Sequence, residues 1–153
     1  MAKELYYDDV NVGDDMPSFT CDPINRTHLV RYAGSSGDFN PLHHDNTFVA
    51  MFGMERVISH GMLVMGITGR AITEWVPQKY LKSFKVRFSG MTEPCDLNDM
   101  ENTSARATLT VTGKVTEKKE EGGDNLIVCE IQTADALGGV KITGTFSAAL
   151  PKK

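Results

Sequence analysis

Residues 59–77 read SHGMLVMGITGRAITEWVP, and the fold follows from this stretch and its flanks. Apolar side chains recur along it at helical spacing: Met62, Met65, Ile72 and Trp75. This period predicts one long helix that Pro77 ends. Ser59 is a preferred N-cap residue type, so we expect the helix to begin there. Because the stretch is apolar almost all round, we expect the helix to be buried.

Downstream of Pro77, apolar and polar residues alternate, which is the period of a β-strand. Four stretches show this alternation: YLKSFKVRFSG (80–90), ARATLTVTGKVTEKK (105–119), NLIVCEIQTADA (125–136) and VKITGTFSAAL (140–150). Glycines mark turns at 122–125 and 138–139, whereas residues 89–105 form a longer connection. Strands that follow one another in this way predict a mostly antiparallel sheet with one solvated face.

The residues before 59 are largely helical in pattern. We expect a first helix from Thr27 to near Gly34, and a short second helix with Asn46 as its N-cap and Gly53 at its end. An apolar helix followed by an antiparallel sheet predicts an α+β fold in which the sheet wraps the helix. No repeat or linker divides the chain, so residues 1–153 are expected to form a single domain.

The charges and the cysteines of the chain limit its partners and its compartment. Sixteen Lys+Arg and 20 Asp+Glu give a formal net charge of −4, and without a basic stripe nucleic acid is not an expected partner. The longest apolar run, residues 62–72, is too short and too rich in glycine to span a membrane. The N-terminus lacks an apolar leader and the three cysteines are widely spaced, so we expect a cytoplasmic protein.

The candidates for chemistry are the polar side chains of residues 35–45, SSGDFNPLHHD. In a plain polar turn, Asp38 and Asn40 would bond nearby backbone amides. A metal site would need three or four convergent ligands, but consecutive side chains of an extended segment point to opposite faces, so no metal is expected. As an acid/base pair, Asp38 and His43 would share one water, with Pro41 stiffening the loop between them. The residues alone leave the turn and the acid/base pair open.

Three blocks of the sequence resemble the MaoC-like dehydratase family, the (R)-specific enoyl-thioester hydratases. They are YAGSSGDFNPLHHD (32–45), SHGMLVMGITG (59–69) and KVRFSGMTEP (85–94). Within the family, the chain looks most like the catalytic B subunit of the mycobacterial-type (3R)-hydroxyacyl carrier-protein dehydratases. The resemblance implies the hot-dog fold, in which a curved antiparallel sheet wraps a long central helix. It also implies a homodimer, or a heterodimer with a related hot-dog subunit.

The resemblance implies reversible hydration of a trans-2-enoyl thioester to the (R)-3-hydroxyacyl thioester. The thiol would belong to coenzyme A or an acyl carrier protein, and no cofactor or metal would be needed. Asp38 and His43 would bind and activate the water, and the backbone N–H of Gly61 would form the oxyanion hole. With Ser59 as the N-cap, Gly61 would also lie in the first helical turn, where amides have no intrahelical acceptor. Asn40 and Ser59 are expected to support the site. The residues expected to contact the substrate are Pro41, His60 and Met62.

Two other functions remain as alternatives. A hot-dog thioesterase would use a carboxylate of the central helix to activate water, and Glu74 is the acidic residue late in that helix. A non-catalytic partner subunit would only bind an acyl chain, and it should lack the Asp/His pair that this chain retains.

Overall fold

The computed structural model describes residues 4–153. Five strands form one sheet: β1 (Asp15–Thr20), β2 (Leu81–Phe88), β3 (Leu109–Glu121), β4 (Asp124–Asp135) and β5 (Val140–Ala149). Four α-helices accompany it: α1 (Arg26–Ser36), α2 (Asn46–Ala50), α3 (Gly61–Trp75) and α4 (Met100–Ala107). The strands are antiparallel to their neighbours and lie in the order β1-β3-β4-β5-β2. This arrangement confirms the predicted α+β hot-dog fold with its central helix.

The four predicted strands are confirmed as β2 to β5, and the structure adds β1 at one edge of the sheet. The hairpin between β3 and β4 turns at Gly122 and Gly123, whose φ angles of 61° and 88° suit a two-residue hairpin turn. The alternation did not reveal β1, because Pro17 interrupts a six-residue strand. The pairing of β1 with β3 shifts register between Met16 and Phe19, and such an edge irregularity accommodates a residue without an N–H.

Helix α3 packs one face against the sheet and leaves the opposite face exposed. Its buried residues are Val64, Thr68, Ala71 and Ile72. Val64, Ala71 and Ile72 belong to two apolar clusters with side chains of the sheet and of α1, including Leu29, Leu109, Val111, Ile142 and Phe146. Met62 is 55% exposed in the single chain, so the prediction that the helix is buried is wrong for this face of α3. Among residues 4–153, no helix is long and apolar enough to cross a membrane.

The predicted helix starts before residue 59 are each off by one residue. Asn25 caps α1, because its Oδ1 accepts hydrogen bonds from the amides of Thr27 and His28 at 2.9 and 3.2 Å. Asp45 caps α2, because its Oδ1 accepts from the amide of Thr47 at 2.8 Å, so Asn46 is the first helical residue rather than the cap. At α2 a second capping residue type, Asn46, lies directly beside the true cap, and at α1 Thr27 lies two residues after it, so composition alone does not separate the candidates.

The long connection between β2 and β3 contains α4, which the sequence pattern did not predict. The helix buries only Thr103 and Ala107 and exposes the rest of its mostly polar surface. Two small buried side chains four residues apart do not produce a recognisable helical repeat of apolar residues, so the sequence of this segment resembles that of a loop.

Candidate active site

The loop after α1 is a series of side-chain-to-backbone hydrogen bonds. Gly37 ends α1 at a φ of 75°, and this left-handed residue turns the chain toward Asp38. The amide of Asp38 donates to Ser36 Oγ, the amide of Asn40 to Asp38 Oδ1, and the amide of Leu42 to Asn40 Oδ1. The last bond caps a short 3-10 turn, Pro41–His43. The polar-turn interpretation is therefore correct for the backbone, and the same turn sets the positions of Asp38 and His43.

Asp38 and His43 face each other across this turn. The distance from Asp38 Oδ2 to His43 Nε2 is 3.8 Å, and the two side chains are 49% and 11% exposed. His43 Nδ1 lies 2.8 Å from the carbonyl oxygen of Ile58. Because a carbonyl only accepts, Nδ1 carries the proton of the neutral ring, and the Nε2 lone pair faces Asp38. The gap is too long for a direct hydrogen bond and allows both atoms to accept from one water.

Helix α3 begins at Gly61 rather than at Ser59, and the residue in the N-cap position is His60. The amides of Leu63 and Val64 bond the carbonyl of His60 at 3.1 and 3.3 Å. Within residues 4–153 the amides of Gly61 and Met62 have no backbone acceptor, so they stand free at the positive end of the helix dipole. Gly61 therefore lies in the first helical turn as expected, although the residue in the N-cap position is His60 and not Ser59.

His43 and Gly61 line one cavity of about 380 Å³. The ring of Phe88 lies so close to Gly61 that a Cβ at that position would be 3.2 Å from the ring. Ser59 is also in the wall, where its amide donates to the carbonyl of Thr92 at 2.7 Å. The imidazole of His43 and the unpaired amide of Gly61 therefore border the same, mostly apolar cavity.

The cavity wall contains a lysine that the sequence analysis did not single out. Lys141 Nζ lies 2.8 Å from Asp135 Oδ2 and donates to the carbonyl of Met91 at 2.9 Å. Burial opposes ionisation of Asp135, but the Lys141 ammonium and the amides of Gly139 and Leu137 outweigh it, so the pKa of this carboxyl is lowered. A lysine in an alternating strand resembles a solvent-facing residue, so the pattern carries no signal for this pair.

Three residues expected to contact substrate lie outside this cavity wall: Pro41, His60 and Met62. Pro41 begins the 3-10 turn and Met62 is half exposed on α3. His60 is 1% exposed and its ring stacks on His43, with the ring centroids 3.8 Å apart. Burial lowers the pKa of His60, although its bond to the carbonyl of Asp38 opposes the shift. A direct contact between His60 and substrate does not fit this burial.

The side chains of Asp38, His43 and His60 each offer one ligand-type atom, and these atoms lie within 4.8 Å of one another. The two imidazole rings are inclined by only 25°, so their lone pairs run nearly side by side instead of converging on one point. His60 Nε2 is hydrogen-bonded to the carbonyl of Asp38, and His60 Nδ1 is buried. This geometry favours hydrogen bonding over metal coordination.

A larger cavity lies elsewhere, at the other end of α3. It measures about 610 Å³, and its lining includes Phe19, Glu74 and Trp75. Glu74, the base that a thioesterase would need, is paired with Arg70 at 2.8 Å. It follows Gly61 by thirteen helical residues, which corresponds to roughly 20 Å along the axis. The greater volume of this cavity therefore does not identify it as the reactive site, and Glu74 does not line the cavity that His43 and Gly61 line.

Comparisons with known proteins show the family and the fold of the chain. The family model described as "MaoC like domain" matches residues 11–125. The chain is 44% identical over 61 residues to the peroxisomal hydratase-dehydrogenase-epimerase of Neurospora crassa, covering 39% of this chain and 6% of that protein. It is 42% identical over 51 residues to the (R)-specific enoyl-CoA hydratase of Aeromonas caviae, covering 33% of this chain and 38% of that protein. The unliganded R-hydratase PhaJ1 of Pseudomonas aeruginosa superposes with a TM-score of 0.78 at 23% identity, covering 99% of this chain and 89% of that one.

Proposed function

Because the chain belongs to the MaoC-like dehydratase family, we propose that it catalyses the reversible hydration of a trans-2-enoyl thioester to the (R)-3-hydroxyacyl thioester in fatty-acid metabolism. The observation that carries this proposal is the facing pair of Asp38 and His43, with the unpaired amide of Gly61 on the cavity that His43 lines. The two curated relatives described above are named as hydratases, and the chain spans 6% and 38% of their lengths.

In the forward reaction, Asp38 Oδ2 and His43 Nε2 hold one water, each accepting a hydrogen bond from one of its two O–H groups. The amide of Gly61 donates to the thioester carbonyl, which makes C3 electrophilic and stabilises the enolate that forms as the C–O bond is made. One member of the pair takes a proton from the water as its oxygen bonds to C3. A proton is then delivered to C2, so that H and OH have added across the double bond and the pair regains its starting charge.

The test is steady-state hydration of crotonyl-CoA, followed by the loss of the conjugated enoyl chromophore, with the product resolved by chiral chromatography. Asp38→Asn and His43→Gln are each expected to lower turnover by about 100-fold or more, because each replaces a group that can take up a proton with an uncharged amide that cannot. His44→Gln is the matched control, since His44 is exposed and bonds only the carbonyl of Phe39. Near-native hydration by either of the first two variants contradicts the assignment.

The same assay separates the alternatives. Release of free coenzyme A thiol without hydration would indicate a thioesterase, and acyl binding without turnover would indicate a non-catalytic subunit. A panel of enoyl chain lengths, on coenzyme A and on acyl carrier protein, identifies the substrate.

We also propose that the active form is a dimer in which the β2 edges meet, and that it acts in the cytoplasm. Strand β2 is an edge strand that pairs only with β5, and Phe88 at its end is 50% exposed beside Gly61. An unpaired edge next to exposed apolar surface is typical of a sheet that continues into a second chain. Native mass spectrometry is expected to give twice the mass of the chain, or that of a mixed dimer when a related subunit is present.

A further inference from the structure

His60 contacts both members of the proposed catalytic pair without touching the cavity. Its Nε2 is 3.1 Å from the carbonyl oxygen of Asp38, and its ring lies on that of His43 at 3.8 Å and 25°. The ring of Tyr32 also lies against His60, with the ring centroids 4.8 Å apart and the planes tilted by 58°. With only 1% of its surface exposed, His60 is enclosed by these contacts and the surrounding chain.

These contacts define the tautomer of the neutral His60 ring. The carbonyl of Asp38 can only accept, so Nε2 carries the proton of the neutral ring. Nδ1 then holds the lone pair, and within residues 4–153 it has no hydrogen-bond partner. A second cationic ring against His43 would oppose protonation of His43 during the reaction. Burial lowers the pKa of His60, which favours a neutral ring beside His43.

The pair needs such support because Asp38 lies on an exposed loop. Its own side chain is 49% exposed, and its loop is held mainly by bonds between neighbouring residues. The hydrogen bond from His60 ties the Asp38 backbone to the start of α3, 22 residues further along the chain. For His43, the carbonyl of Ile58 fixes one ring nitrogen and the stack on His60 fixes the ring plane.

We propose that His60 is a positioning residue that sets the relative placement of Asp38 and His43 through one hydrogen bond and one ring stack. This inference rests on the proposed function, because it concerns the same catalytic pair. A displacement of about 1 Å between reacting groups can lower a rate by roughly 100-fold, so a residue that only positions the pair can have a large effect on turnover.

The kinetic test separates the two contacts with three variants of the full chain. His60→Phe keeps a flat ring and loses the donor, His60→Gln keeps a donor and loses the ring, and His60→Ala loses both. The single losses are each expected to lower kcat by about 10-fold and the double loss by about 100-fold, with KM changed by less than about threefold. Rates are normalised to the folded fraction from circular dichroism, so an unfolded His60→Ala leaves the other two variants to decide. Parental kcat in both His60→Phe and His60→Gln overturns the proposal, and so does a loss that appears in KM alone.

Nuclear magnetic resonance provides a readout that does not depend on activity. Long-range ¹H–¹⁵N correlation of the parent protein is expected to show His60 as the neutral Nε2–H tautomer at neutral pH and through mild acid. The ring resonances of His43 are expected to move in His60→Gln, which removes the stacked ring, and less in His60→Phe. An Nδ1–H tautomer contradicts the positioning role, because Nε2 would then carry no proton to donate to the carbonyl of Asp38. If the parent protein hydrates no enoyl thioester, the proposed function fails, and these spectra still decide whether His60 orders the pair.

Discussion

The buried pair of Asp135 and Lys141 gives the most quantitative stability prediction. Their side chains are 5% and 13% exposed, and the ammonium is 2.8 Å from the carboxylate. The carboxylate also accepts from the amides of Gly139 and Leu137 at 2.8 and 3.0 Å. Removing one partner of a buried ion pair leaves a desolvated charge behind and costs about 3–5 kcal/mol. Lys141→Met should fall near the lower end of this range, because the two amides still neutralise part of the charge on Asp135.

The assay is urea denaturation at neutral pH, with Lys114→Met as the matched control. Lys114 makes a pair of nearly equal length, 2.9 Å to Asp15, but the two side chains are 57% and 76% exposed. The same substitution there should cost less than about 1 kcal/mol, because exposed ion pairs contribute little. For a chain of this size, a loss of 3 kcal/mol corresponds to a fall in Tm of roughly 6–12 °C. Equal losses in the two variants would refute the argument that burial decides the strength of the pair.

The pH dependence of stability provides a second check on the same pair. The pKa of Asp135 is lower in the folded chain than in the unfolded chain, so the folded state binds this proton less readily. The stabilisation is therefore complete above the ordinary pKa of an aspartate and is lost as pH falls through the lowered folded value. The free energy of unfolding of the parent should decrease with acid in this window, and Asp135→Asn should flatten the curve. An unchanged acid dependence in Asp135→Asn would contradict the assigned contribution.

Glycine substitutions give the remaining predictions. Gly61→Ala places a Cβ 3.2 Å from the half-exposed ring of Phe88, and because that ring can shift, Tm should change little. The added methyl group should keep the substrate carbonyl away from the amide, so kcat/KM should fall by about 10-fold or more. An unaltered kcat/KM would show that the substrate does not need to approach this amide closely. Gly144→Ala places a Cβ 2.2 Å from the backbone oxygen of Lys85 in the neighbouring strand, so unfolding in urea should show a loss of at least about 2 kcal/mol. Gly34→Ala on α1 is the control, because a Cβ there would have no atom within 4 Å, and it should stabilise the chain by about 0.5–1 kcal/mol. A similar loss of stability in Gly144→Ala and Gly34→Ala would contradict the steric reasoning.

The parts of the fold that the sequence predicted are those with a regular period. Helix α3 and strands β2 to β5 repeat apolar residues at 3.6 or 2 positions over eight residues or more, and tertiary packing reinforces that pattern. Strand β1 has one buried residue, Met16, followed by a proline, and α4 has two small buried residues. These elements form because a partner surface is present, which a local pattern does not record.

The candidate site divides in the same way. Asp38, Asn40 and His43 lie in one turn, so the local sequence is sufficient to predict that they lie near one another. The stack of His60 on His43 and the contact of Lys141 with Met91 join residues 17 and 50 positions apart. Nothing in the neighbouring residues of a histidine or a lysine reveals such a partner, because the contacts exist only once α3 and the sheet have packed.

The free amide of Gly61 depends on both sets of distant contacts. Lys141 bonds the carbonyl of Met91, and the next residue, Thr92, accepts the amide of Ser59 at 2.7 Å. Ser59 leads directly into His60 and Gly61, so the start of α3 is tied on one side to the buried ion pair of the sheet and on the other to the Asp38 loop. Gly61, the proposed oxyanion donor, and the proposed water-holding pair of Asp38 and His43 are thereby both tied to the segment Ser59–His60. A change that releases either tie should therefore lower turnover before it unfolds the chain, since positioning is lost over tenths of an ångström and the core clusters remain packed.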